Sequence, residues 1–116
     1  MLIRRDTHVT TITIPSGGNL ADQALPMSRF SMLTVHMPAA WTAAAIGFKV
    51  SSDENGTYLP LYDDAGAIVE ITVAVSQAHI APADVAGALW VKLWSQNSGS
   101  NANQGAERSL IVTLKG

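Results

Sequence analysis

The sequence predicts an all-β protein, an antiparallel β-sandwich or jelly roll of about seven to eight strands. Three observations support this class. Apolar and β-branched residues alternate with polar ones in short segments, clusters of Gly, Pro, Asn and Asp separate the segments, and no stretch has the spacing of a strand–helix–strand unit. The 116 residues are the length of one domain, 1–116, in which we expect residues 1–7 to form an extended N-terminal arm.

The first half of the chain is predicted to form strands joined by turns. Residues 8–14 are rich in Thr and β-branched residues and end at the turn-forming run 15–19. After a loop over 20–28, residues 29–37 are apolar on both faces, which is typical of a central strand. Pro38 ends that strand because it cannot donate a ladder hydrogen bond.

A hairpin is predicted next. Residues 45–52 alternate apolar and polar side chains, and the Asn-Gly pair in residues 53–56 supplies the positive φ angles that a tight turn needs. Residues 58–62 form the returning strand. Because Pro60 lacks an amide donor, we expect this strand at the edge of its sheet.

The second half adds predicted strands over residues 68–75, 88–94 and 108–115. Residues 76–87 favour a single helical turn, with Pro82 at its start and a glycine at its end. Residues 96–105 are a run of Ser, Asn, Gln and Gly that predicts a flexible polar loop.

The composition excludes several classes of function. Charged residues make up 14% of the chain, against about 25% in an average soluble domain. With a net charge of −2, the chain has neither the charge of a disordered segment nor the basic footprint of a nucleic-acid or anionic-membrane binder. It contains no cysteine. Its start lacks the apolar core of a signal peptide and no run is long enough to span a membrane, so we expect synthesis and assembly in a host cytoplasm.

No set of residues predicts catalysis. His8, His36 and His79 lie in no recognisable motif, and no nucleophile elbow or phosphate-binding loop occurs. We interpret His36 as a half-buried, hydrogen-bonded histidine, and His79 and Glu70 as solvated side chains. The prediction is therefore that this chain is not an enzyme and binds no cofactor.

Metal binding has one weak candidate. Asp53, Asn55, Asp63 and Asp64 offer oxygen ligands at two neighbouring turns, and Ca²⁺ accepts such ligands. Asp and Asn are also the residues that turns prefer, and their order is not that of an EF-hand loop. We therefore expect no metal site.

The tryptophans are the most informative side chains. Trp90 and Trp94 share one face of a strand, where at least one is expected to fill the core. The alternative is an aromatic platform on which a sugar ring stacks. Trp41 follows Pro38 in a loop-like segment and is the better candidate for an exposed contact residue.

Five segments carry a resemblance that covers most of the chain from about residue 30 onward: residues 36–41, 47–58, 61–63, 91–95 and 104–108. The hairpin 47–58 resembles hairpins of carbohydrate-binding and discoidin-like sandwiches. Together, the segments resemble small virion proteins of tailed bacteriophages, in which a charged residue stands at the position of Trp94. The resemblance implies a protein of the phage particle, with the head surface as its expected place.

These observations lead to one preferred hypothesis and one alternative. The preferred one is a non-enzymatic capsid decoration or cement protein that forms a homo-oligomer and binds the major capsid protein or other virion subunits. Its expected contact residues are Trp41, Trp94, Met37 and Pro38. The alternative is a carbohydrate-binding module of a virion appendage, which would bind a host glycan through Trp41 or Trp94.

Overall fold

A computed structural model describes residues 6–116 and confirms the all-β class. Within these residues one short 3-10 helix, Ala83–Gly87, is the sole helical element. The predicted arm, residues 1–7, falls largely outside the described residues, and its last residue, Thr7, begins the first strand. The strands are β1 (Thr7–Ile14), β2 (Leu25–Pro26), β3 (Met32–His36), β4 (Ala45–Ser51), β5 (Leu59–Pro60), β6 (Glu70–Ile71), β7 (Ala78–Ile80), β8 (Trp90–Asn97), β9 (Ser100–Asn101) and β10 (Arg108–Lys115).

The strands form two antiparallel sheets. The four-stranded sheet has the order β1-β10-β3-β7, and β1 pairs with β10 along its whole length, from Thr7 opposite Lys115 to Ile14 opposite Arg108. The six-stranded sheet has the order β2-β8-β4-β5, with β6 also paired to β4 and β9 also paired to β8. Because neighbouring strands run in opposite directions, short turns suffice for several of the connections.

The hydrophobic core lies between the two sheets. Alternation along each strand sends every second side chain inward, and both sheets contribute to one buried cluster. The four-stranded sheet supplies Ile12, Ile14, Leu33, Val35, Leu110, Val112 and Leu114, and the six-stranded sheet supplies Leu25, Ile46, Phe48, Ile71, Val91 and Leu93. This arrangement is that of a β-sandwich.

Several predicted elements are confirmed with small shifts in their bounds. β4 and β10 match the predicted strands, and β5 lies at an edge of its sheet as Pro60 indicated. A turn is present over residues 53–56, but neither Asn55 nor Gly56 has the positive φ angle that the Asn-Gly pair predicted, because the connection from β4 to β5 spans residues 52–58 and is not a tight turn. The helical turn begins directly after Pro82. No helix in residues 6–116 is long and apolar enough to cross a membrane.

Other predictions were wrong in extent. The strand expected over 68–75 is reduced to β6, because the chain leaves β4 after Ile71, and Val75 is exposed. β3 is central in its sheet as predicted, but only its inward face is buried, and Met32 on the other face is exposed. β2, β7 and β9 were not predicted, and with them the structure exceeds the expected seven to eight strands.

Candidate interaction surfaces

The outer side of the four-stranded sheet, here called the open face, carries side chains in regular rows. The central row runs from Val9 through Thr113 and Thr34 to Ile80, each directly opposite the next. The flanking rows contain Thr7, Lys115 and Met32 on one side and Thr11, Ile111, His36 and Ala78 on the other. Lys115 is the one Lys, Arg, Asp or Glu in these three rows.

Large apolar side chains on the open face are unusually exposed. Val9 is 67%, Ile80 72% and Ile111 49% exposed. A shallow groove of about 230 Å³ lies among Val9, Met32, Ile80 and the threonines of the central row. Exposed apolar groups with few charges are typical of the buried centre of a subunit interface.

The outer side of the six-stranded sheet, here called the covered face, is built around Trp94. This residue is only 2% exposed, although it lies on the side of β8 that points away from the core. Its ring sits over Gly47 on β4, where an added Cβ would come within 3.1 Å of Trp94 Cε3. The Lys49 ammonium lies 4.6 Å from the ring centroid, and the indole N–H donates to Asn101 Oδ1 at 2.8 Å.

A second cation–aromatic pair extends the covered face. The Lys92 ammonium lies 4.8 Å from the centroid of Tyr58, whose hydroxyl donates to the Glu54 carbonyl at 2.7 Å. Desolvation, followed by the charges of Glu54 and Asp53, raises the pKa of Tyr58 above its usual value. The folded chain therefore favours the neutral phenol, which is the form that donates to the Glu54 carbonyl.

Two buried glutamines fix the loops beside the covered face. Gln96 donates to Glu70 Oε2 and accepts from the Gly99 amide, both at 2.6 Å. Gln104 accepts from the Thr42 amide at 2.8 Å and donates to the Thr42 carbonyl at 3.0 Å, and its amide group also donates to Ser95 Oγ at 2.9 Å. Within the described residues, no buried side-chain nitrogen or oxygen lacks a partner. These hydrogen bonds fix the loop that carries Gln104 against Thr42 and the loop after Gln96 against Glu70.

The predicted contact residues occupy different environments. Trp94 and Met37 are buried, which corrects the expectation that their side chains are accessible in the isolated chain. Trp41 is half-buried against the core, and its indole N–H donates to the Ala44 carbonyl at 3.1 Å. Pro38 is half-buried at the end of β3, where its carbonyl accepts from the Ser76 amide. The assignment of these four residues to an interface stays a prediction.

The remaining polar predictions need correction at three positions. His36 is exposed, while His79 is half-buried and its Nε2 accepts from the Ala74 amide at 3.2 Å. Glu70 is half-buried against Gln96 rather than solvated. Glu70 is held by Gln96, 26 residues away in sequence, and His79 by the Ala74 amide, and the alternation of side chains along a strand reveals neither contact.

The aspartates of the two acidic turns accept hydrogen bonds from backbone amides of the same turns. Asp53 Oδ1 accepts from the Asn55 amide, and Asp63 Oδ1 accepts from the Ala65 and Ala67 amides at 2.9 Å. Among residues 6–116, no group of three or more His, Cys, Asp or Glu side chains is arranged to hold a metal ion.

Comparison with known proteins identifies the fold. No protein-family model and no curated protein matches this sequence. One solved structure, the SPBc2 prophage-derived protein YomS, superimposes with a TM-score of 0.58 at 18% sequence identity. The match covers 100% of this chain and 98% of that one. The two chains therefore share one β-sandwich architecture over their whole described length.

Proposed function

We propose that this chain is a bacteriophage virion structural protein that decorates or cements the capsid. The observation that carries the proposal is the open face, a partly apolar sheet surface whose rows contain a single Lys, Arg, Asp or Glu, namely Lys115. The full-length likeness to a prophage-derived protein supports a phage origin. A cement protein would stabilise the shell by burying such a surface against capsid subunits, since removal of apolar area from water favours association, and part of that gain offsets the entropy lost on docking.

The open face is the surface offered to the capsid. The side chains of Ile111 and Ile80, on two of its strands, are exposed and lie outside the core. On the covered face, Trp94 is buried, and the ammonium groups of Lys49 and Lys92 lie over the rings of Trp94 and Tyr58. Docking through the open face would therefore leave the fold of the subunit unchanged.

Co-sedimentation with emptied capsids of the phage that encodes the chain tests the proposal. We expect the wild-type protein to pellet with the capsids, and Ile111→Lys or Ile80→Lys to lose most of that binding. Leu59→Lys is the matched control, because Leu59 is 62% exposed on β5 of the other sheet. A wild-type protein that stays in the supernatant would contradict the proposal, as would density for this 12.2 kDa unit on the tail rather than the head of the particle.

One observation favours a second candidate, glycan binding by a virion appendage. A cleft of about 530 Å³ is lined by Trp41, Glu70 and Asn97, which combine an aromatic ring with polar groups. Burial of Trp94 removes it as a platform, so Trp41 remains of the two tryptophans expected to stack on a sugar. Binding on a glycan array that Trp41→Ala abolishes and Trp90→Ala preserves would support this candidate.

A further inference from the structure

The edges of the two sheets differ in how they are protected. β2 and β5, at the edges of the six-stranded sheet, have two residues each, and each ends in a proline. β7, at one edge of the four-stranded sheet, has three residues. β1, at its other edge, has eight residues and contains no proline, glycine or formally charged side chain. Short strands, prolines and charges are the features that prevent edge pairing, and β1 has none of them.

The hydrogen bonds of β1 show which of its backbone amides and carbonyls point away from β10 and have no partner strand. The Thr13 amide donates to Asp22 Oδ1 at 3.0 Å, and the Thr13 carbonyl accepts from the Asp22 amide at 2.9 Å, so both groups point away from β10. Because this direction alternates along a strand, Thr7, Val9 and Thr11 also point away from β10. Within residues 6–116, the amides and carbonyls of Thr7, Val9 and Thr11 make no backbone hydrogen bond on the side of β1 that points away from β10. The open edge therefore runs from Thr7 to Thr11 and ends where Asp22 covers Thr13.

We propose that this edge pairs with the same edge of a second copy of the chain, antiparallel and centred on Val9. Val9 then lies opposite Val9 of the partner subunit, and Thr7 lies opposite Thr11 of the partner subunit. Each of these pairs exchanges two backbone hydrogen bonds, so every open amide and carbonyl from Thr7 to Thr11 is satisfied. The two four-stranded sheets become one continuous sheet, and their open faces form one surface.

The composition of the edge indicates a second copy rather than an unrelated strand. The outward residues read Thr-Val-Thr in both directions, so two-fold pairing places Thr against Thr and Val against Val. No formal charge lies on β1, so identical strands meet without like-charge repulsion. Asp22 covers the edge at Thr13 and so ends the paired stretch on one side. By the two-fold symmetry, Asp22 of the partner subunit ends it on the other side. The contact is self-complementary and closed, as in most soluble homodimers. It depends on the edge alone and does not rest on the virion role.

Molar mass in solution, measured by sedimentation equilibrium, tests the inference without any capsid. We expect the wild type at twice the chain mass. Val9→Pro removes an amide that β10 does not use, and Val9→Lys places two ammonium groups opposite each other, so both should halve the molar mass with an unchanged circular dichroism spectrum. Ile111→Lys adds the same charge to the same face one strand away from the edge, and should remain dimeric.

The register is tested by cysteine crosslinking, since the chain has no cysteine of its own. Paired residues in this geometry have Cα atoms about 5.5 Å apart, within the range of a disulfide. Oxidised Val9→Cys should crosslink, and Thr13→Cys should not. A monomeric wild type would overturn the proposal. So would a dimer that survives both Val9 variants, a dimer lost in Ile111→Lys, or crosslinking through Thr13→Cys in place of Val9→Cys.

Discussion

The two sheets enclose the same core but differ on their outer sides, in how far the large apolar side chains are exposed to solvent. On the open face, Val9, Ile80 and Ile111 are left in solvent among threonines. On the covered face, Trp94 is buried beneath Lys49 and Asn101, although it points away from the core. The chain thus buries the large ring on the covered face with its own side chains and leaves the apolar side chains of the open face exposed.

Gly47 accounts for much of this difference. A glycine in the middle of β4 leaves room for the Trp94 ring directly against the backbone of the neighbouring strand. The open face has no glycine among its rows, and Val9, Ile80 and Ile111 stay exposed there. A large ring laid over a small residue closes a sheet surface, whereas a row of Thr and Val leaves it available to a partner.

Trp94→Ala should have the largest effect on folding. Removing a buried aromatic ring costs about 3–5 kcal/mol, and the variant also leaves the Asn101 carboxamide without its indole donor. Urea unfolding measures the free energy lost. Met32→Ala on the open face is the matched control, because Met32 is already exposed and should lose under about 1 kcal/mol. Equal losses in the two variants would remove the distinction between the faces.

Gln104→Ala should have the next largest effect. It removes the hydrogen bonds that the Gln104 side chain makes to the Thr42 backbone and to Ser95 Oγ, leaves these partners unpaired, and should cost about 1–3 kcal/mol. Asn103→Ala is the control, since Asn103 is exposed and its side chain accepts a hydrogen bond from the side chain of Asn19, which is itself partly exposed to solvent. Urea unfolding of both variants is the measurement, and a control loss as large as that of Gln104→Ala would contradict a clamping role.

The sequence predicts the long strands well because their pattern is local. β1, β4 and β10 each alternate over seven or eight residues, so period-2 spacing finds them without knowledge of their partners. The short strands β2, β7 and β9 have two or three residues, which is too few to show a period. β2 and β7 are strands because the distant strands β8 and β3 pair with them, and β9 is a strand because it folds back on the end of β8.

The candidate surfaces were harder to predict than the fold. Gln96 and Gln104 lie in a polar run that favours a loop, and both are buried because of partners 26 and 62 residues away in sequence. Trp94 was correctly placed on a strand, but its burial depends on which residue lies across from it on β4. The one local signal was Gly47 inside a strand of large side chains, which marks a close approach.

Tyr58 gives the smallest effect and a pH-dependent test of the covered face. Its pKa in the folded chain is raised, first by desolvation and then by Glu54 and Asp53, so the folded state favours the neutral phenol. This contribution is fully present below the ordinary tyrosine pKa of 10.0 and is lost as pH rises through the higher folded value. Urea unfolding of wild type and Tyr58→Phe should therefore show the wild type losing stability relative to the variant only at alkaline pH. Because Tyr58 is partly solvated, the difference should be small, and parallel pH profiles for the two proteins would show that the phenol proton contributes nothing to closing this face.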